Sequence, residues 1–393
     1  MSASGQVQAA RAQAGGRVRD REHAYDIVLL GTVGILLAFG SVMVASTTVV
    51  DARTGSFDAL FGPTMRHLVH VGVGVVAMFL VARVPVAWWE TMSKPLLLLA
   101  LALLVVLALP GIGLTFNGST RWLSVAGIRF QPAELAKLFM IVYAAGYLTR
   151  KRESLGEFTQ GVLMIGLVLA VLGVLLLLQP DFGSFVVVTL TIGTMLFLAG
   201  VRFWHFLLCA VASAGAMTFL IMARDYRADR VTSFLNPWQD PGDTAYQLVQ
   251  GLIALGRGEW FGVGLGASVQ KLYFLPHAEN DFLLAIIGEE LGFVGVCAVI
   301  ALFGVLLWRA FAISRAAERI GQLYAARLAQ GLALLLVLQA TIHIGVNLGA
   351  LPTKGLTLPF MSQGGSSLIM CCVAAGILLG IERGVRLKPG GAP

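Results

Sequence analysis

The chain has 393 residues, of which 57% are hydrophobic and 12% charged, with a mean hydropathy of +0.82 and a formal net charge of +7. A soluble domain carries about twice that charged fraction, so the composition excludes the soluble globular classes and predicts an all-α polytopic membrane protein. The positive charge lies on tails and short loops rather than on a folded basic domain, which excludes nucleic acid as a partner.

Residues 1–24 are small, polar and basic, and a disordered tail is expected there. Apolar runs of about 20 residues then predict ten membrane helices, at 27–47, 66–83, 95–113, 132–149, 159–178, 184–201, 204–222, 282–307, 326–350 and 364–381. The first run is too long for a signal-peptide core and no small-residue cleavage site follows it, so it is a span. Only the tight turn Gln179-Pro180-Asp181-Phe182-Gly183 separates the fifth run from the sixth. A large loop, 223–281, joins helices seven and eight, and ordered loops of such length are usually functional. The expected organisation is a membrane domain over 25–383 and a tail over 384–393.

Lys and Arg set the orientation. They gather at Arg11, Arg17, Arg19, Arg21, Arg83, Lys94, Arg150, Lys151, Arg152, Arg202, Arg309, Arg315, Arg319, Arg327, Arg383, Arg386 and Lys388. Both termini are therefore expected in the cytoplasm. Segments 114–131, 223–281 and 351–366 then share the outer side, where a site between them would open.

Some signals carry little. Cys209, Cys297, Cys371 and Cys372 all fall within spans and suit helix packing better than disulfides or a metal. Gly262-Val263-Gly264-Leu265-Gly266 lacks the spacing and strand–helix setting of a nucleotide loop. Asn117-Gly118-Ser119 matches a glycosylation sequon that is common by chance, and His67 with His70 reads as polar packing or as half of a metal site.

Charges in or beside the spans say more, because an ionisable group in a membrane is a functional candidate. Glu134 and Lys137, three residues apart, can pair on one helix face. The pair is either structural or an anchor for an anionic substrate. Asp181 follows a proline and suits a helix cap. Around residues 275–295, Asp281 stands at the mouth of a span and Glu289 and Glu290 lie deeper, Glu289 by about 12 Å on ideal helical geometry. Gly288 and Gly292 share the Asp281 face, a small-residue surface that admits close approach of another helix. Asp281 is placed either to act as a general base on a substrate whose tail lies in lipid, or to cap its helix. The two glutamates need partners and read as structural.

Several longer motifs occur together in one order: NGSTRW at 117–122, QPAELAK at 131–137, QPDFG at 179–183 and FLNPWQDPGDTAYQ at 234–247. GRGEWFGVGLGASVQKLYFLP at 256–276, DFLLAIIGEELG at 281–292 and LPTKGLTLPFMSQGGSS at 351–367 complete the set. With these, nearly the whole chain from about residue 25 resembles the SEDS family (shape, elongation, division and sporulation proteins), and Lys354 in PTKG resembles its division branch. The segment Pro276-His277-Ala278-Glu279-Asn280-Asp281-Phe282 departs from the family's usual P-E-A-H-T-D-F, and Gln363 stands where Tyr is usual.

The resemblance implies ten membrane helices with a large outer loop between the seventh and eighth. It implies polymerisation of lipid II into septal peptidoglycan strands in the bacterial inner membrane, beside a class B penicillin-binding protein and other division proteins. Asp281 matches the family's essential aspartate, and the expected chemistry is inverting glycosyl transfer with Asp281 as general base. The expected substrate-binding set is Glu134, Lys137, Arg121, Trp122, Arg227, Arg230, Lys271, Lys354 and Ser362, with its cations on the leaving pyrophosphate. No cofactor is firmly indicated; Mg²⁺ or Mn²⁺ held by a carboxylate and substrate phosphate fits the chemistry. The rival readings are a lipid II flippase or ion-coupled transporter, a recruiting scaffold, and the elongation branch of the family.

Overall fold

The computed structural model describes residues 25–48, 57–116, 119–125, 128–222, 234, 236–239, 245–272, 274–276 and 278–387. The apolar runs form helices α1 (Ile27–Thr48), α2 (Phe57–Val81), α3 (Val86–Ala108), α4 (Pro132–Arg150), α5 (Met164–Leu178), α6 (Phe182–Leu198) and α7 (Phe203–Met222). A π-helical turn, Thr159–Leu163, leads into α5. Then come α8 (Tyr246–Gly258), α9 (Leu283–Arg319), α10 (Leu323–Asn347) and α11 (Gly365–Arg386). Seven stretches among the described residues are long and apolar enough to cross a membrane: Ile27–Thr48, Gly62–Val81, Val86–Ala108, Thr159–Leu178, Leu283–Arg319, Leu323–Asn347 and Gly365–Arg386. At 1.5 Å per residue the 22 residues of α1 extend about 33 Å, enough for a hydrocarbon layer of about 30 Å.

α10 and α11 are the most enclosed of these spans, and α4 beside them is buried along most of its length. α10 packs on α9, α4 and α6, while α11 lies against α2. α2 and α5 present Leu68, Val69, Val76, Leu167 and Val174 outward, as helices bathed by lipid do.

Several boundaries differ from those expected. α9 runs to Arg319 rather than to 307, with Ser314 buried, and α3 begins at Val86 instead of 95. Apolar counting marks only the stretch that suits lipid, whereas these helices continue through residues such as Trp88, Glu90, Arg309 and Arg315 that suit an interface or water. Nor is the fold wholly helical. Residues 114–130 hold a three-stranded antiparallel meander, β1 (Leu114–Phe116), β2 (Ser119–Val125) and β3 (Ile128–Phe130), with Leu114 opposite Trp122 and Leu123 opposite Phe130. The sequence does carry a hairpin signal there, since Asn-Gly favours a tight turn between strands.

α9 departs most from an ideal helix. Gly292 takes φ 67° and ψ −165°, which breaks the helical path. The segment after α8 fills the break: Val263 N and Gly264 N donate to Glu289 O and Glu290 O, while Phe293 N and Val294 N donate to Glu259 O and Trp260 O. The backbone groups freed by the break are thus satisfied inside the protein, as membrane depth requires. A Cβ on Gly262 would lie 2.1 Å from Glu290 O, which explains why glycine stands in this segment. The expected Gly288–Gly292 surface does admit close approach, but the two glycines do not share one helical face. Gly288 receives α8, where a Cβ on Gly258 would lie 1.8 Å from Gly288 O, and Gly292 makes the break.

Candidate functional site

A carboxylate can serve chemistry only if its backbone is held and its oxygens reach an opening. Asp281 is half-buried just ahead of α9, whose N-cap residue is Phe282. The capping bond comes from another helix: Asn347, wholly buried at the end of α10, accepts from Ala285 N at 3.1 Å and donates to Asp281 O at 3.0 Å. On the other side the 351–364 loop presses in. A Cβ on Gly355 would lie 3.1 Å from Asp281 Oδ2. Gln363 N donates to Glu279 O at 3.0 Å.

The same loop draws in further residues. Lys354 Nζ lies 3.8 Å from the centroid of the Phe182 ring at the start of α6. Asp181 caps α6, accepting from Ser184 N at 3.1 Å and Ser184 Oγ at 2.8 Å. Arg121 on β2 donates from its guanidinium to Gln179 O at 3.2 Å and Pro180 O at 2.5 Å, tying the meander to that turn. Trp122, next to it, is half-buried in β2. Lys137 Nζ donates to Glu134 Oε1 at 2.8 Å and to Gln339 Oε1 at 2.9 Å, all three side chains being buried. Gln339 Nε2 continues to Thr357 O at 3.0 Å, two residues beyond Gly355.

Two residues expected to bind substrate are engaged within the protein. Lys271 is a counter-ion in this structure: its Nζ donates to Glu290 Oε1 at 2.8 Å and to Ser46 Oγ at 3.0 Å, with 5% of the side chain exposed. Ser362 stitches two loops together. Its buried Oγ accepts from Leu358 N at 2.9 Å and donates to Asn280 O at 2.7 Å. Arg227, Arg230 and His277 lie outside the described residues.

Glu289 and Glu290 are both wholly buried and anchor the outer loop. Glu289 accepts from Ser268 Oγ at 2.5 Å, Val269 N at 3.0 Å and Arg257 at 3.2 Å. Glu290 accepts from Ser46 Oγ at 2.8 Å in addition to Lys271. This cluster holds the 268–271 loop onto α1 and α9 and is separate from the residues around Gly355. Among the described residues no three His, Cys, Asp or Glu side chains group to hold a metal.

Sequence reasoning missed Asn347, Gln339, Ser46 and Ser268. The first two were findable, as uncharged polar residues inside a predicted span. The serines carry no signal that separates them from packing residues.

A profile of the FtsW/RodA/SpoVE family, described as cell cycle proteins, matches residues 27–387. A Nitrosococcus halophilus protein named Probable peptidoglycan glycosyltransferase FtsW is 49% identical over 361 residues, covering 91% of this chain and 92% of that protein. A protein of the same name from Thioalkalivibrio sulfidiphilus is 48% identical over 359 residues, 91% of this chain and 89% of the relative. Among solved structures, a chain from one titled as the structural coordination of polymerization and crosslinking by a peptidoglycan synthase complex is similar. It aligns with a TM-score of 0.74 and 27% identity over 93% of this chain and 99% of that one. The rod shape determining protein RodA of Thermus thermophilus aligns with a TM-score of 0.66 and 27% identity, over 93% and 99% of the two chains.

Proposed function

This chain belongs to the FtsW/RodA/SpoVE family of cell cycle proteins, and from that premise we propose that it polymerises lipid II into peptidoglycan glycan strands with Asp281 as general base. It is a peptidoglycan glycosyltransferase of the membrane, and the relatives at 48–49% identity support the division branch over the elongation branch. Ten helices cross the inner membrane, counting α4, α6 and α7 with the seven long apolar ones. Both termini are cytoplasmic, as the Lys and Arg bias supports, and the Asp281 end faces outward at the septum.

The observation that carries the mechanism is the clamping of Asp281: its carbonyl is held by Asn347 and its carboxylate abuts Gly355 at the junction of outer loop and membrane helix. That junction suits a substrate with its tail in lipid and its sugar outside. Asp281 takes the proton of the acceptor sugar's 4-hydroxyl, and the oxygen attacks the donor's anomeric carbon. The bond from that carbon to the phosphate oxygen breaks, the pyrophosphate leaves with the electron pair, and configuration inverts. A positioned base contributes about 10²–10⁴-fold. Arg121, Lys354 and the buried Lys137 supply positive potential near the departing anion. A divalent cation, if bound, would have Asp281 among the described residues and the substrate phosphates as its ligands.

A class B penicillin-binding protein that crosslinks the strands is the proposed partner, with other division proteins around the pair. The test is polymerisation of labelled lipid II by the purified full chain with that partner, native and Asp281→Asn at matched amounts. Asn keeps size and polarity but has no proton affinity, so strands should form with the native protein and fall by about 10²-fold or more with the variant. An Asn variant polymerising at the native rate refutes the base. A native protein that moves lipid II across vesicles yet makes no strands is a flippase.

A further inference from the structure

α10 is buried along most of its length, yet it places three uncharged polar side chains at intervals of four: Gln339, His343 and Asn347. Residues four apart lie one above the other on a helix, so the three form a ladder. Their exposures are 3%, 1% and 0%. Each rung ends on the backbone of a loop at the Asp281 site. Gln339 Nε2 donates to Thr357 O at 3.0 Å. His343 Nδ1 lies 2.6 Å from Leu356 O. A carbonyl only accepts, so the proton of that bond is on Nδ1. Asn347 Nδ2 donates to Asp281 O at 3.0 Å and to His343 O at 2.9 Å, while its Oδ1 holds Ala285 N.

We infer that this ladder is the positioning device of the reaction: one rigid helix sets the register of Asp281 against the 354–357 segment, and so the direction of its carboxylate. The inference rests on Asp281 being the base. None of the three side chains is assigned contact with substrate; they act through the backbones they hold. The bonds run to two loops, since Asp281 ends the outer loop and 354–357 lies between α10 and α11, and they add to the direct ties of Ser362 to Asn280 O and Gln363 to Glu279 O. The bottom rung also accepts from Lys137 Nζ at 2.9 Å, which joins the Glu134–Lys137 pair to the same register. Holding reacting groups in place is worth much in rate, and a misplacement of about 1 Å can cost about 10²-fold.

The test uses full-length protein with its partner and two pairs of variants. His343→Leu removes the bond to Leu356 O, whereas His343→Asn keeps an N–H donor close to the position of Nδ1. Asn347→Leu removes the bond to Asp281 O, and Gln330→Leu, a buried polar substitution on the same helix outside the ladder, is the control. Two quantities are read: polymerisation kinetics, and hydrogen exchange of backbone amides over 278–284 and 354–358. His343→Leu and Asn347→Leu should lower kcat about tenfold or more with KM for lipid II within twofold, and both segments should exchange faster. His343→Asn should recover most of kcat, and Gln330→Leu should change neither quantity. Unchanged exchange in His343→Leu and Asn347→Leu overturns the ladder, as does failure of His343→Asn to recover while folded. Faster exchange with native kcat overturns the base assignment instead, because loosening Asp281 would then be without consequence.

Discussion

Gly355 offers a graded probe of how tightly Asp281 must be held. A Cβ at residue 355 would lie 3.1 Å from Asp281 Oδ2, whereas ordinary contact begins at 3.4 Å, so Gly355→Ala pushes the carboxylate by about 0.3 Å. Gly355 does not have the positive φ that strains other residues, so alanine meets a steric cost and not a backbone one. If about 1 Å of misplacement costs about 10²-fold, a displacement of 0.3 Å scales to about fourfold in kcat. Valine adds two further carbons at the same place and should cost about 10²-fold. The side chain at 355 is exposed on its other sides, so the melting temperature should change little in either variant. The assay is polymerisation of labelled lipid II by native, Ala and Val proteins with the partner present, each checked for thermal stability. Native rates in both variants would refute the claim that the carboxylate works from this position. A loss in both equal to that of Asp281→Asn, without gradation, would point to a collapsed loop.

Other outcomes follow from the buried charges and the topology. Lys271→Met leaves Glu290 buried without its cation and should destabilise by about 3–5 kcal/mol; the double variant with Glu290→Leu should recover much of this in thermal unfolding. Lys137→Met should destabilise by a similar amount, since Glu134 loses its buried partner, and it should also slow polymerisation, which separates it from Lys271→Met combined with Glu290→Leu. Cysteines at the exposed positions Gln239 and Glu157, with native cysteines removed, should label oppositely with a membrane-impermeant reagent in intact spheroplasts. Labelling at 157 but not at 239 would invert the topology.

What the residues determine alone is the class and the positions of the main helices, because burial in hydrocarbon leaves a signal one residue type deep. Runs such as 27–47 and 159–178 need no partner to be recognised. Asp281 stood out as a candidate for a related reason, since a carboxylate at the lip of a span is costly without a use, while the choice between base and helix cap came from the resemblance to the SEDS family. What the tertiary structure decided is which charge meets which. Lys271 and Lys354 look alike in the sequence, but one is held by Glu290 beneath the outer loop and the other lies against Phe182 beside Gly355. Ideal helical geometry holds through Glu290 but fails at Gly292, which leaves the helix while a segment some thirty residues upstream fills the gap, and it gives no sign of the partners that Glu289 and Glu290 find. Hydrogen bonds between loops, such as Ser362 to Asn280 or Asn347 to Asp281, join residues more than sixty apart. No local pattern records them. They exist because each buried donor must find an acceptor wherever the packed helices bring one, and that search is settled only by the complete fold.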